Sequence, residues 1–307
     1  MKYLFGPVPS RRLGFSLGVD IIPYKTCSFD CIYCELGKTT CKTIAPVALV
    51  RPEAVLNELK DLLSLPSLTL DCITISGSGE PTLHPELGLI IREIKRLAAL
   101  PVTVITNASL LFQEEILGGL LEADVIVPSL DAPDPKTFET VNRPHPDLTF
   151  EQLIVGLMRL GRFRRKGIWL EILLMRGIND APEQIEQFRK LVDRINPEKI
   201  QLNTVVRPPV ETCALPLEKT RLREIQKKLG PQAEIIGSPS GDKIQHQGSM
   251  IESEIRAMVA RRPCTAEDIA QCLGLPLEKT IHFLNGLIQE QKIKTEQFNQ
   301  QKFYRDL

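Results

Sequence analysis

Short runs rich in valine, isoleucine and leucine recur along the chain, over residues 17–22, 71–76, 102–106, 124–129, 168–174 and 199–205. Runs of this length bounded by turn residues read as buried strands. Between them, segments 53–63, 86–98, 113–120, 150–163 and 183–195 space their apolar residues at the helical period, and most carry a proline or an acid near the start. Strands alternating with amphipathic helices predict an α/β fold of parallel strands joined by crossover helices. A further helix over 217–229 and a short strand over 233–236 follow. The connection 131–147 holds Pro133, Pro135, Pro144 and Pro146, so it is expected to be long and to contain a broken helix.

After residue 236 the pattern changes. Gly237-Ser238-Pro239-Ser240-Gly241-Asp242 reads as a linker, which divides the chain into a domain over 1–236, a linker over 237–249 and a smaller domain over 250–307. The last of these runs from a helix beginning near Met250 through 265–270, with Thr265 as N-cap, to a break at Gly274-Leu275-Pro276. A helix over 276–289 and two short extended segments, 292–295 and 302–304, follow, which is a winged-helix pattern. The 307 residues suit one barrel of about 200 to 250 residues with a small appendage.

Composition narrows the function classes. Hydrophobic residues at 43% and charged residues at 25% describe a globular protein with a substantial core. Lysine and arginine (38) balance aspartate and glutamate (38), so no global field draws the chain to nucleic acid or to an anionic membrane. No apolar run approaches the ~20 residues that span a bilayer, and Met1-Lys2-Tyr3-Leu4-Phe5-Gly6-Pro7 breaks too early for a signal peptide. A cytoplasmic protein without a membrane partner is the expectation. Residues 250–307 carry as many acids as bases, and the segment Leu277-Glu278-Lys279-Thr280-Ile281-His282-Phe283 offers one lysine and one histidine, too few for reading DNA. Arg162-Phe163-Arg164-Arg165-Lys166 closes a helix, where cations favour the negative end of the dipole.

Eight cysteines in an unsecreted chain point to metal ligands and buried thiols rather than disulfides. Cys27, Cys31 and Cys34 follow the first predicted strand directly, in Thr26-Cys27-Ser28-Phe29-Asp30-Cys31-Ile32-Tyr33-Cys34. Thiolates are the usual ligands of iron-sulfur centres, and one loop with this spacing can wrap three of them around a cluster. Three ligands leave one iron open for an exogenous amine and carboxylate. The alternative is structural zinc, which prefers four closed ligands and would recruit Cys41. Cys72 in a strand run, Cys264 after Pro263 and Cys272 on an apolar helix face read as buried thiols, and Cys213 as a loop cysteine.

The cysteine loop, with Tyr33 before its last cysteine, resembles the radical S-adenosylmethionine (SAM) superfamily over about residues 3–236. The resemblance implies a partial (β/α)6 barrel, a 4Fe-4S cluster held by Cys27, Cys31 and Cys34, and SAM bound at the open iron and cleaved to a 5'-deoxyadenosyl radical. It implies a low-potential electron donor of flavodoxin or ferredoxin type, and Tyr33 beside the adenine through its backbone. Ser76-Gly77-Ser78-Gly79-Glu80 resembles the family's Gly-Gly-Glu motif with one serine substituted, so Gly77, Gly79 and Glu80 are expected to hold the SAM amino group. Thr106 and Asn107 match the place of ribose or carboxylate contacts, although Asn107 is equally suited to cap a helix. Ser129 is expected to face the cofactor and Asp131 the substrate.

Strands five and six offer Glu171, Arg176, Asn179, Gln201, Asn203 and Arg207. Gln201 and Asn203 share one face by period two, and a buried amide face favours a ligand, for which Asn203 is a SAM candidate, or a polar network. Gly6-Pro7-Val8-Pro9-Ser10-Arg11-Arg12-Leu13-Gly14, together with the cysteine loop, is similar to an uncharacterised group related to wyosine-forming tRNA-modifying enzymes, which admits RNA as a substrate. The competing expectation is an iron-sulfur redox-sensing regulator whose winged helix binds DNA.

Overall fold

The computed structural model describes residues 2–65, 69–164, 166–237 and 251–307. Strands β1 (Leu4–Ser10) and β2 (Gly14–Val19) form a hairpin, and the short β3 (Thr26–Cys27) and β4 (Cys41–Lys42) frame the cysteine loop. Then come α1 (Pro52–Leu63), β5 (Cys72–Ile75), α2 (Leu87–Leu97), β6 (Val102–Thr106), α3 (Glu114–Leu120) and β7 (Val125–Pro128). The series continues with α4 (Pro135–Asn142), α5 (Phe150–Phe163), β8 (Trp169–Leu174), α6 (Pro182–Ile195), β9 (Lys199–Thr204), α7 (Lys219–Leu229) and β10 (Ala233–Ile235).

Local chemistry explains these elements. All four residues of β5 are buried, as expected of a strand covered on both faces. Proline begins α1, α4 and α6, where its missing N–H costs no helical bond. The Thr149 side chain caps α5 and Gln152 closes the reciprocal bond. The proline-rich connection contains α4, ended by Arg143 in the left-handed region ahead of Pro144.

Strands β2, β5, β6 and β7 pair in parallel, as do β8, β9 and β10. Two parallel bridges, Ile126 to Ile168 and Ser129 to Glu171, carry the order from β7 to β8. The result is an open, partial barrel with β1 antiparallel at one edge. Strand β1 was not anticipated. It contains Pro7 and Pro9, which an edge strand tolerates, and its pairing slips between Phe5 and Val8. Strand β2 starts at Gly14 rather than at 17, because Gly14, at φ +68°, closes the hairpin turn.

Side chains from the β1–β2 turn tie the open barrel together from inside. Arg12 Nη1 and Nη2 donate to Glu171 at 3.0 Å each, and Nη1 also donates to Gln201 Oε1 at 3.0 Å. Asn203 Nδ2 donates to Glu171 at 2.8 Å, and its Oδ1 accepts from Arg11 Nη1 at 3.1 Å. The amide face of β9 is therefore a polar network. Burial would raise the Glu171 pKa, but the Arg12 guanidinium holds it below the usual carboxylate range.

Residues 251–307 form α8 (Ile251–Arg261), α9 (Ala266–Cys272), α10 (Leu277–Gln289) and the hairpin β11 (Ile293–Phe298) and β12 (Gln301–Asp306). They pack around their own core of Ile255, Val259, Ile269, Leu273, Leu284, Leu287 and Tyr304. Thr265 caps α9, and Cys264 bridges to Tyr304. The linker expected over 237–249 and the start near Met250 lie, apart from Gly237, outside the described residues. This segment seats on the barrel: Arg261 stacks 4.7 Å from the Phe5 ring and pairs with Asp20 at 3.1 Å, and Phe298 packs against a cluster containing Ile32, Val141 and Val205. Among the described residues no helix is long and apolar enough to cross a membrane.

Removing one partner of a buried ion pair leaves the other charge stranded, which costs about 3–5 kcal/mol. Arg12 and Glu171 are each 11% exposed. Arg12→Met is expected to lower unfolding free energy by that amount in urea titration. A loss below ~1 kcal/mol, the range of an exposed pair, would show that the turn does not brace the barrel.

Candidate active site

The cysteine loop is pinned on several sides. Thr26 pairs with Cys41 and Cys27 with Lys42, the amides of Asp30 and Ile32 donate to carbonyls of Asn142 and Val141, and the Phe29 ring meets Phe138 edge-on at 5.3 Å. Ser28 and Ser109 share a hydroxyl bond of 2.7 Å. Each sulfur is met by a donor. Lys25 Nζ donates to Cys34 at 3.1 Å, Asn142 Nδ2 to Cys31 at 3.5 Å, and both Asn107 Nδ2 and the Phe29 amide to Cys27 at 3.5 Å.

These surroundings fit a cluster. Burial, and then the Glu80 carboxylate, push the Cys27 thiol up to about 12, and burial and Cys27 raise Cys31. Such sulfurs become thiolates when a cation replaces their protons, and N–H donors then receive the anionic sulfur. Among the described residues no three His, Cys, Asp or Glu side chains gather closely enough to grip one metal ion. A cluster with sulfide between its irons spans ligands set farther apart. Cys41, the fourth ligand of the zinc alternative, is exposed and level with Thr26, so strand alternation turns it away from the side Cys27 occupies.

The loop after β5 leans on the cysteine loop. Lys25 N donates to Ser78 O at 2.7 Å and Glu80 N to Thr26 O at 3.1 Å. A Cβ on Gly79 would stand 2.1 Å from the Thr26 carbonyl oxygen, so glycine there serves contact between the two loops. Gly77 lies at φ +137°, a conformation other residues rarely adopt. Ser78 donates through its amide and hydroxyl to Asp20, and Asp20 also accepts from Arg261.

Glu80 is buried with its carboxylate fully engaged. Oε1 accepts from the Thr82 amide (3.0 Å), the Thr82 hydroxyl (2.6 Å) and Thr106 Oγ1 (2.6 Å), while Oε2 accepts from the Asn107 amide at 2.7 Å. Burial raises its pKa and these bonds oppose the rise. Asn107 accepts from the Ser109 amide at 3.0 Å and donates to Ser28 Oγ at 2.9 Å, so it forms a local turn and braces the cysteine loop at once.

Tyr33 donates its hydroxyl to Asp131, whose other oxygen accepts from the Leu173 amide at 2.9 Å. Burial lifts Asp131 from 3.8 to about 6 against those two bonds, and it pushes the Tyr33 phenol well above its ordinary value. Asn179 is a bracket between carbonyls of Asp131 and Leu173 at 2.8 Å each. Arg176 is exposed. Arg207 is largely buried, paired with Glu35 at 3.1 Å and with Asp268 at 3.6 Å. Arg164 donates to the Ala123 and Asp124 carbonyls and serves the fold, and Arg165 lies outside the described residues.

One cavity of about 670 Å³ joins these parts. Cys27, Cys31, Cys34, Tyr33, Gly77, Gly79, Glu80, Thr106, Asn107, Ser129 and Asn203 all line it. Its far wall includes Met258, Cys264, Asp268 and Leu273 from the C-terminal segment. Sequence reasoning missed Lys25, Asp20 and Asn142: a lone lysine, an acid after a strand and an asparagine in a proline-rich loop carry no motif.

A partial parallel barrel with three loop cysteines at the wall of an internal cavity defines a class of cofactor-dependent enzyme, and the chain belongs to the radical SAM superfamily, whose family model matches residues 21–192. Enzymes of this family use a 4Fe-4S cluster and S-adenosylmethionine. Within it, the chain is 31% identical over 317 residues to a UPF0026 protein of Methanocaldococcus jannaschii, covering 99% of this chain and 96% of that one. It is 36% identical over 301 residues to a protein named GTPase Obg of Brachyspira hyodysenteriae, spanning 97% of this chain and only 44% of that protein's length. The fold is similar to TYW1 with a lysine-pyruvate adduct bound, at TM-score 0.55 and 20% identity, covering 73% and 75% of the two chains.

Asp131 gives a pH test. Its pKa is higher in the folded state than in the unfolded one, so its stabilising contribution is fully present below pH about 4 and is lost as pH rises through about 6. Asp131→Asn never ionises and is expected to gain on the parent by up to ~3 kcal/mol between pH 4 and pH 7, measured by urea unfolding. A difference that stays constant across that range would assign Asp131 an ordinary pKa.

Proposed function

We propose that the chain cleaves SAM reductively and uses the radical produced to abstract hydrogen from a substrate held in the 670 Å³ cavity. The observation that carries this reading is the loop of Cys27, Cys31 and Cys34, each sulfur met by an N–H donor, at the wall of a cavity also lined by Gly77, Gly79 and Glu80. When bound, the cluster held by these cysteines supplies the electron that splits SAM into methionine and a 5'-deoxyadenosyl radical.

The remaining roles belong to the protein. Lys25, Asn107 and Asn142 direct positive dipole or charge at the sulfurs and favour the anionic state of the ligands. Backbone groups of 76–79 receive the SAM amino group, while Glu80, engaged on both oxygens, fixes the shape of that loop. Tyr33 and Ser129 complete the cofactor side, with Thr106, Asn107 and Asn203 around it.

We read residues 1–236 as the catalytic barrel and 250–307 as a winged-helix-like domain that walls the site. A low-potential flavodoxin or ferredoxin type protein of the cell interior would supply electrons. For the substrate we read RNA, supported by Arg11, a cavity-lining cation that forms no ion pair among the described residues.

Anaerobic reconstitution with iron and sulfide is expected to give about four irons per chain. Dithionite and SAM should then yield 5'-deoxyadenosine, and Cys27→Ala, Cys31→Ala or Cys34→Ala should reduce both readouts to background. An intact cluster that forms no 5'-deoxyadenosine, or tetrahedral zinc in the isolated protein, would remove the proposal.

A further inference from the structure

Most charges around the cavity are matched within the protein. Glu171 is held by Arg12, Glu35 by Arg207, Asp20 by Arg261, and Glu80 by hydroxyl and amide donors. Arg11 is different. Its Nη1 donates to the neutral Asn203 Oδ1 at 3.1 Å, and among the described residues it forms no ion pair. Glu171 and Glu35, the carboxylates that act on it, are already engaged by other arginines.

Arg207 stands nearby with an unmet group of its own. Its side chain is 10% exposed, and Glu35 and Asp268 approach Nη1 and Nη2, but its buried Nε has no hydrogen-bond partner. Burial and the neighbouring Arg207 cation together lower the Arg11 pKa from 12.5 to about 10, the direction expected of a charge without a counterion. Both residues line the cavity that the cysteine loop lines. A half-buried cation without a counterion and a buried N–H without an acceptor both gain when an anion meets them. The guanidinium fork matches the paired oxygens of carboxylate and phosphate.

We propose that Arg11, with the Nε–H of Arg207, forms an oxyanion site in the cavity that anchors a carboxylate or phosphate group of the substrate. This deepens the reading of the cavity as the reaction chamber and rests on it, but anion binding itself needs no radical chemistry. Asn203 steers the Arg11 fork, and Asp268 of α9 helps hold Arg207, so the C-terminal segment shapes the anchor.

The test uses the full chain, reconstituted anaerobically, in thermal-shift titrations with inorganic phosphate and separately with acetate, against potassium chloride at equal ionic strength. At least one anion is expected to raise Tm beyond the chloride control, and the stronger of the two identifies the group. Arg11→Gln should weaken that binding about tenfold, which is ~1.4 kcal/mol. Arg11→Lys, keeping the charge without the fork, should fall between. If Arg11→Gln does not fold, Asn203→Asp, which supplies an internal counterion, should also abolish the shift.

No shift beyond chloride in the parent protein, or equal shifts in the parent and Arg11→Gln, would overturn the proposal. So would a tenfold loss of SAM affinity in Arg11→Gln with phosphate and acetate binding intact, which would make Arg11 a cofactor ligand. Absence of 5'-deoxyadenosine from the parent, with Arg11-dependent anion binding retained, would instead sink the radical reading alone.

Discussion

An open sheet has two unpaired edges, and this one is held in shape by a buried ion pair that crosses its interior. Arg12 on the β1–β2 turn meets Glu171 on β8 and Gln201 on β9, joining the first strands of the barrel to the last. Both charges are removed from water, so their attraction must be completed by further hydrogen bonds if the arrangement is to persist. Asn203 provides one, and in doing so it turns its oxygen toward Arg11. The brace thus orients the neighbouring guanidinium that faces the cavity.

At the cysteine end the same logic operates through backbone groups. The 76–80 loop, the cysteine loop and the start of the segment after β6 interlock through Thr26, Glu80 and Asn107. Glu80 is spent on organising amides and hydroxyls. Its burial would be costly as a bare charge, and four accepted bonds offset that cost. A loop stabilised in this way presents its backbone without needing the ligand to order it, which is the physical meaning of preorganisation.

Much of this was legible before any coordinates. The alternation of apolar runs located β5 to β9 because strands buried on both faces need continuous hydrophobic sequence. The cysteine spacing singled out Cys27, Cys31 and Cys34, the ligands we propose for the cluster, and the fold brings all three to the wall of one cavity. Less visible were features that depend on long-range partners. Prolines in β1 hid an edge strand whose pairing is set by β2. Arg11 and Arg12 are adjacent and chemically identical, yet one is neutralised by Glu171 and the other meets only an amide, a distinction made by residues about 160 and 190 positions away. The sequence around Arg207 names no partner for it, because Asp268, with which it pairs, belongs to another segment.

Arg261 reaches from α8 into the barrel, lying over Phe5, donating to the carbonyls of Lys2 and Leu4, and meeting the same Asp20 that holds Ser78. A barrel trimmed of its last helices would keep its cysteines but uncover an aromatic ring and leave an anion unmatched beside the glycine turn. The C-terminal segment is therefore not freely exchangeable: an unrelated module in its place would have to rebuild the contact to Asp20, the acid that also holds Ser78.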